Sequence, residues 1–203
     1  MMGKIYWKLW IEWWCFRAWL KGSSKDKYAW ACDWLQGETQ PESIEDISVI
    51  GDSSANHFAH RLMVLTPATN FARNGAVIDD FTGSLICRLD HKTVVLMIGG
   101  NNIGLLDEDF DTIIRKHFNL YKSIQAQRKI VVGLSPVNGT EGFSPVKNSL
   151  IHRINNRLSM IYGKEFIDTF PPAMLPSFTD GVHHTNHYDQ QIIQALKIKL
   201  ERK

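Results

Sequence analysis

Short apolar runs alternate with segments of helical periodicity from residue 46 to the end of this 203-residue chain. Residues 93–98 form the clearest run, residues 47–50, 130–134 and 166–168 form three more, and a weaker one lies near residues 68–72. Runs that are apolar throughout are typical of strands buried on both faces, as in parallel sheets covered by helices. The alternation therefore predicts the α/β class, with a parallel five-stranded sheet between layers of helix.

Apolar residues recur every three or four positions between these runs, which is the spacing of a helix face that packs on a core. Helices are predicted on this basis over residues 55–62 and 78–89, and the second would bury Leu85 and Leu89. Because aspartate is a preferred residue at helix starts, we expect Asp107 to cap the helix that comes next.

The overall composition excludes several classes of function. The net charge is +2, and no basic stripe with interleaved aromatic residues follows residue 45, so no nucleic-acid partner is expected. Cys15, Cys32 and Cys87 are odd in number and lack CxxC spacing, which indicates neither a zinc site nor a disulfide framework. Free thiols are typical of reducing compartments, so a cytoplasmic location is favoured.

All seven tryptophans lie within the first 34 residues. Residues 1–45 are therefore predicted to form a Trp-rich helical extension and linker, and residues 46–203 to form the domain. Residues 5–20 are interrupted by charged side chains and are shorter than the about 20 apolar residues that span a bilayer. Two interpretations of residues 1–35 stay open. They contact a membrane surface, which tryptophan and basic residues favour, or they self-associate or pack on the domain.

Three polar motifs follow apolar runs, and they are Gly51-Asp52-Ser53, Gly99-Gly100-Asn101 and Asp180-Gly181-Val182-His183. The carboxyl ends of parallel strands share one edge of the sheet, and open α/β folds bind ligands there. Ser53, Asn101 and His183 are far apart in sequence, yet the predicted topology brings them to the same edge.

These residue types suit acyl transfer. A serine hydroxyl needs a base to become a good nucleophile, and His183 can take its proton while Asp180 orients the imidazole. The negative oxygen of the tetrahedral intermediate needs hydrogen-bond donors placed in advance. The candidates are the backbone N–H groups of Ser53 and Gly75 and the side-chain amide of Asn101.

The motifs resemble the four sequence blocks of the SGNH (GDSL-type) hydrolase family. The matching segments are Gly51-Asp52-Ser53, Asn74-Gly75, Gly99-Gly100-Asn101 and the pair Asp180 and His183, within about residues 46–200. The resemblance implies a three-layer α/β/α, flavodoxin-like fold, and ester hydrolysis through a serine acyl-enzyme without a metal or organic cofactor. It also implies that Ser53 is the nucleophile, Asp180 and His183 complete the triad, and Gly75 and Asn101 are oxyanion donors.

The chain departs from the family pattern at several positions. Asn102 stands where aspartate is common, and Tyr188 stands where glycine often follows the catalytic histidine. Neither departure removes a predicted catalytic group, so ester hydrolysis stays the activity that the resemblance implies.

Three functions are compatible with these residues. The first is an esterase that acts on a small acyl-ester substrate, such as a sugar O-acetyl group or a short lipid ester. The second is an O-acyltransferase that passes the same acyl group to an acceptor hydroxyl, and the third is a non-catalytic binding module on the same fold. The combination of Ser53, Asn101, Asp180 and His183 favours the esterase.

Overall fold

The computed structural model describes residues 44–136, 145–169 and 186–201, all within a unit that spans Ser43–Lys203. Its five strands form one sheet in the order β2-β1-β3-β4-β5, and every neighbouring pair is parallel. The strands are β1 (Ile44–Gly51), β2 (Ala68–Asn70), β3 (His91–Met97), β4 (Ala126–Val132) and β5 (Phe166–Ile167). The predicted parallel five-stranded α/β fold is confirmed. The Trp-rich extension falls outside the described residues, apart from its last two positions, which belong to β1.

Five α-helices connect and cover the strands in the described ranges. They are α1 (Ser53–Leu65), α2 (Gly100–Gly104), α3 (Phe110–Ser123), α4 (Pro145–Tyr162) and α5 (Asn186–Glu201). None of the helices within these ranges is both long and apolar enough to cross a membrane.

Both faces of the sheet are buried, as the apolar runs predicted. Alternate strand residues such as Val49, Val95 and Ile130 pack with α1 and α5 in one hydrophobic cluster. Successive strand residues point to opposite faces, and the intervening residues Ile50 and Leu96 are also fully buried. Helices must therefore cover both faces.

The helix predicted over residues 78–89 is wrong. The structure has two 3-10 turns there, Ile78–Asp80 and Leu85–Arg88, and Gly83 between them has a left-handed backbone with φ of 74°. A left-handed residue interrupts the repeat of a right-handed helix. The register changes as a result, so Ile86 and Cys87 are the buried residues of the second turn.

The prediction that Asp107 caps a helix is also wrong. Asp107 has φ of 53°, and the chain is still turning at this point because Glu108 N donates to the carbonyl of Asn102 at 3.0 Å. Asp109 caps α3 instead, with Oδ1 accepting a hydrogen bond from Thr112 N at 2.8 Å. Asp107 and Asp109 both lie just before α3. Asp109 has the extended backbone of an N-cap residue, whereas Asp107 has a left-handed backbone.

Candidate active site

The carboxyl ends of the parallel strands lie side by side at one edge of the sheet, called here the rim. Ser53 is the first residue of α1, just beyond β1, and Asn101 lies in α2, just beyond β3. Gly75 lies in the loop after β2. These three predicted site residues therefore share the rim, while Asp180 and His183 lie outside the described residues.

Asp52 fixes the start of α1. It is the N-cap of this helix, and its Oδ1 accepts a hydrogen bond from Ser54 N at 3.0 Å. Its own backbone N–H donates to the carbonyl of Met97 in β3 at 3.3 Å. The first N–H groups of a helix have no partner inside that helix, and the helix dipole favours negative charge at this end. The backbone N–H of Ser53 is thus suited to bind a negatively charged oxygen.

Ser53 and Asn101 line one pocket on the rim. The pocket extends from the ends of β1 and β3 to the residues after β4 and to α4. Its other lining residues are Asp52, Ser54, Met97, Ile98, Gly100, Gly133, Leu134, Ser135 and Ile151. In the described part of the chain, no group of three or more His, Cys, Asp or Glu side chains is arranged to hold a metal ion. The residues around the pocket include three serines, one asparagine and one aspartate, so hydroxyl, amide and carboxylate groups are all available there.

The side chain of Asn101 joins two of the motif loops. Its Nδ2 donates a hydrogen bond to the carbonyl of Ala76 at 2.9 Å, next to Gly75 in the sequence. An amide nitrogen carries two hydrogens, so one can orient the side chain while the other is offered to a ligand.

A chain of asparagines connects the Gly75 loop to α1. Asn56 in α1 donates to Oδ1 of Asn74 at 3.1 Å and accepts at its Oδ1 from Nδ2 of Asn70 at 2.7 Å. Gly75 has φ of 72°, a left-handed conformation that favours glycine. The helix that begins with Ser53 therefore also fixes the position of the loop that contains Gly75.

Thr169 and Tyr188, which precede and follow residues 170–185 in the sequence, are linked by hydrogen bonds to Leu134 of the pocket. Thr169 donates through Oγ1 to the carbonyl of Leu134 at 2.7 Å, and its own carbonyl accepts from the Tyr188 hydroxyl at 2.8 Å. Burial raises the pKa of Tyr188 to about 12, so the hydroxyl stays protonated and remains a donor. The neighbouring Asp189 is fully buried and forms an ion pair with Arg61 of α1. The Tyr188 hydrogen bond and the Asp189 ion pair together fix the start of α5 relative to Thr169 and α1.

Asn102 is a structural residue, in contrast to its neighbour Asn101. It is fully buried, its Oδ1 accepts from Ile78 N at 3.1 Å, and its Nδ2 donates to Oε2 of Glu108 at 2.9 Å. An ionised aspartate could accept the first bond but could not donate the second. The partner at Glu108 is thus the physical reason that an amide suits this position, where the family commonly has a carboxylate.

Solved structures share this fold, whereas the sequence comparisons find no match. No family model matches the chain, and no curated protein matches its sequence. Among solved structures, a GDSL-like lipase from Bacteroides thetaiotaomicron is 14% identical, with a TM-score of 0.63 over 86% of this chain and 96% of that one. A member of the lipolytic G-D-S-L family from Veillonella parvula is 13% identical, with a TM-score of 0.60 over 77% and 98%.

A third similar structure is a carbohydrate esterase of family 3 from Talaromyces cellulolyticus. It is 15% identical, with a TM-score of 0.55 over 76% of this chain and 95% of that one. At these identities the likeness concerns the fold. The chain has the fold of the SGNH (GDSL-type) hydrolases, and the resemblance predicted from its motifs is confirmed at that level.

Sequence reasoning missed several residues that shape the rim. Ser135 could have been found, because it comes directly after the predicted strand over residues 130–134 and strand ends predict rim positions. Asn155 also left a signal, since it is a polar residue between the apolar positions of α4 and is 2% exposed. No feature of the sequence indicates the role of Asn56, because a polar residue on a helix is ordinarily solvated.

The hydrogen bonds of Asn102 predict the effect of replacing it. Asn102→Asp should lower the free energy of unfolding by about 1–3 kcal/mol at about pH 7.5, because a buried carboxylate would face Glu108 with no hydrogen to donate. Two facing carboxylates raise the pKa of one of them. The folded variant therefore binds a proton that the unfolded chain releases, and its deficit relative to wild type should shrink at about pH 5.

Urea unfolding of wild type and Asn102→Asp at both pH values measures this deficit. A variant as stable as wild type at about pH 7.5 would contradict the role assigned to the Asn102 amide.

Proposed function

We propose that this protein hydrolyses carboxylic esters through an acyl-enzyme formed on Ser53. The observation that supports this most strongly is the shared pocket. The hydroxyl-bearing residue at the start of α1 and the amide-bearing residue after β3 line the same small space at the rim. A nucleophile and an oxyanion donor have to face one carbonyl group in this way.

The proposed oxyanion site has three donors. The backbone N–H of Ser53 lies at a helix N-terminus, where the dipole favours negative charge. The Asn101 amide is oriented by its bond to Ala76, and the backbone N–H of Gly75 is the third proposed donor. Removing one such side-chain donor in a serine hydrolase costs about 2.7–4 kcal/mol of transition-state stabilisation.

The proposed base is His183, with Asp180 as its orienting carboxylate. His183 would remove the hydroxyl proton as Ser53 Oγ bonds to the acyl carbon, and would give that proton to the departing alcohol as the ester C–O bond breaks. In the second step His183 would take a proton from a water molecule as the water oxygen bonds to the acyl carbon. It would give that proton to Ser53 Oγ as the bond between Oγ and the acyl carbon breaks, which releases the carboxylic acid. The hydrogen bonds of Thr169 and Tyr188 support this assignment, because they connect the chain before and after the segment that contains the pair to Leu134 of the pocket.

The proposed substrate is a small acyl ester, either an O-acetyl group on a sugar or a short lipid ester. The similar structures include a carbohydrate esterase and a GDSL-like lipase, which agrees with an ester bond as the shared target. The chemistry proposed for Ser53 needs no cofactor.

Hydrolysis of p-nitrophenyl acetate by wild type and Ser53→Ala tests the proposal. Ser53→Ala should reduce kcat to the background rate, since it removes the atom that bonds to the acyl group. Ser159→Ala is a suitable control, because Ser159 lies on α4 with its hydroxyl bonded to the carbonyl of Asn156. Equal rates for wild type and Ser53→Ala, or no hydrolysis by the wild type, would refute the proposal.

The proposed role of Asn101 predicts a graded loss. Asn101→Ala should lower kcat by about 100- to 1,000-fold with a smaller change in KM, because the amide acts mainly on the charge that develops in the transition state. Thermal unfolding of the variant checks that the fold is kept. A kcat within about threefold of wild type would exclude Asn101 as an oxyanion donor.

A further inference from the structure

The pocket beside Ser53 lies on one side of the nucleophile. Its lining residues come from the ends of β1, β3 and β4 and from α4. The Gly75 loop follows β2, which pairs with the opposite side of β1. Asn101 follows β3, so a carbonyl oxygen bound among Ser53, Gly75 and Asn101 would leave the space beyond Asn101, at the end of β4, for another part of the ester.

The residues that line the pocket are polar near the reacting groups and mostly apolar toward the end of β4. Ser53, Ser54 and Asn101 are half-buried polar residues. Beyond them the walls are mostly apolar, with Ser135 as the polar exception, and exposures are 4% or less for Met97, Ile98, Leu134 and Ile151. Apolar walls next to a reacting hydroxyl suit the alkyl part of an acyl group.

The cavity is small. Its volume is about 40 Å³, far below the roughly 300–1,000 Å³ of pockets that hold drug-sized ligands. A cavity of this size suits the alkyl part of a short acyl group and not a long chain.

The wall at Leu134 is fixed on both sides. Asn155 accepts from Leu134 N at 2.8 Å and donates to its carbonyl at 2.7 Å. On the side-chain side, Leu134 packs closely on Gly99, where an added Cβ would lie 3.2 Å from Leu134 Cδ2. A closely packed interior resists expansion, so this wall does not move aside for a longer chain.

Resting on the ester hydrolysis proposed above, we propose that this cavity receives the acyl group and limits the enzyme to short acyl chains, well below octanoyl in length. Leu134 and Ile151 form the limit. The limit concerns only the acyl part of the ester, so it applies equally to esters of sugar and lipid alcohols.

The test measures kcat/KM for p-nitrophenyl acetate, butyrate, hexanoate and octanoate. Wild type should lose at least about tenfold between butyrate and octanoate. Each CH₂ that finds apolar space contributes about 0.8 kcal/mol, or about fourfold. Ile151→Ala, which opens space for two or more such groups, should therefore raise the ratio of hexanoate to butyrate by about tenfold.

Ile154→Ala is the matched control. Ile154 lies on the same helix, is fully buried and does not line the pocket, so the same truncation there should leave the chain-length ratio unchanged. Ile151→Val, a milder change that disturbs folding less, should shift the ratio by about two- to fourfold.

The results separate the two proposals. Octanoate hydrolysis as fast as butyrate in wild type, or equal chain-length profiles for Ile151→Ala and Ile154→Ala, would overturn the acyl limit while ester hydrolysis stands. A wild type without Ser53-dependent hydrolysis of any of the four esters would overturn the proposed function and the acyl limit with it.

Discussion

The close parallel pairing of β1 with β3 is the constraint on which the rest of the structure depends. The two backbones approach so closely at Gly51 that a Cβ there would lie 1.9 Å from the carbonyl oxygen of Met97. The pairing continues one residue further, where Asp52 N donates to the same carbonyl at 3.3 Å. Glycine is therefore required at the end of β1, and the start of α1 lies against the end of β3. This contact brings Ser53 and Asn101, which lie on different loops, to one pocket.

Side-chain hydrogen bonds then turn this edge of the sheet into a rigid site. The amide of Asn101 is fixed by Ala76, and Asn56 connects the Gly75 loop to the helix that begins with Ser53. On the other side, Asn155 satisfies both the N–H and the carbonyl of Leu134. Donors held in place before the reaction need no reorganisation when charge develops. The same rigidity that suits catalysis also supports the proposed limit on acyl length.

The sequence predicts the fold well because the strands are nearly continuous apolar runs, and a parallel sheet follows from their burial on both faces. It also places Ser53, Gly75 and Asn101 on the rim, since that conclusion needs only the strand ends. It fails over residues 78–89, where the spacing of apolar residues fits successive 3-10 turns as well as an α-helix and only Gly83 marks the break. The sequence also does not predict long-range hydrogen bonds such as those of Asn56, because they depend on which loops the fold brings together.

The central claim is that Ser53 is an activated nucleophile in the folded protein. Treatment with a fluorophosphonate, which reacts covalently with activated serine hydroxyls, tests this without assuming any substrate. Peptide mass mapping should then find one adduct, on Ser53, in the native protein and none after unfolding in urea. An adduct on Ser54 or Ser135 instead, or no adduct in the native protein, would contradict the account.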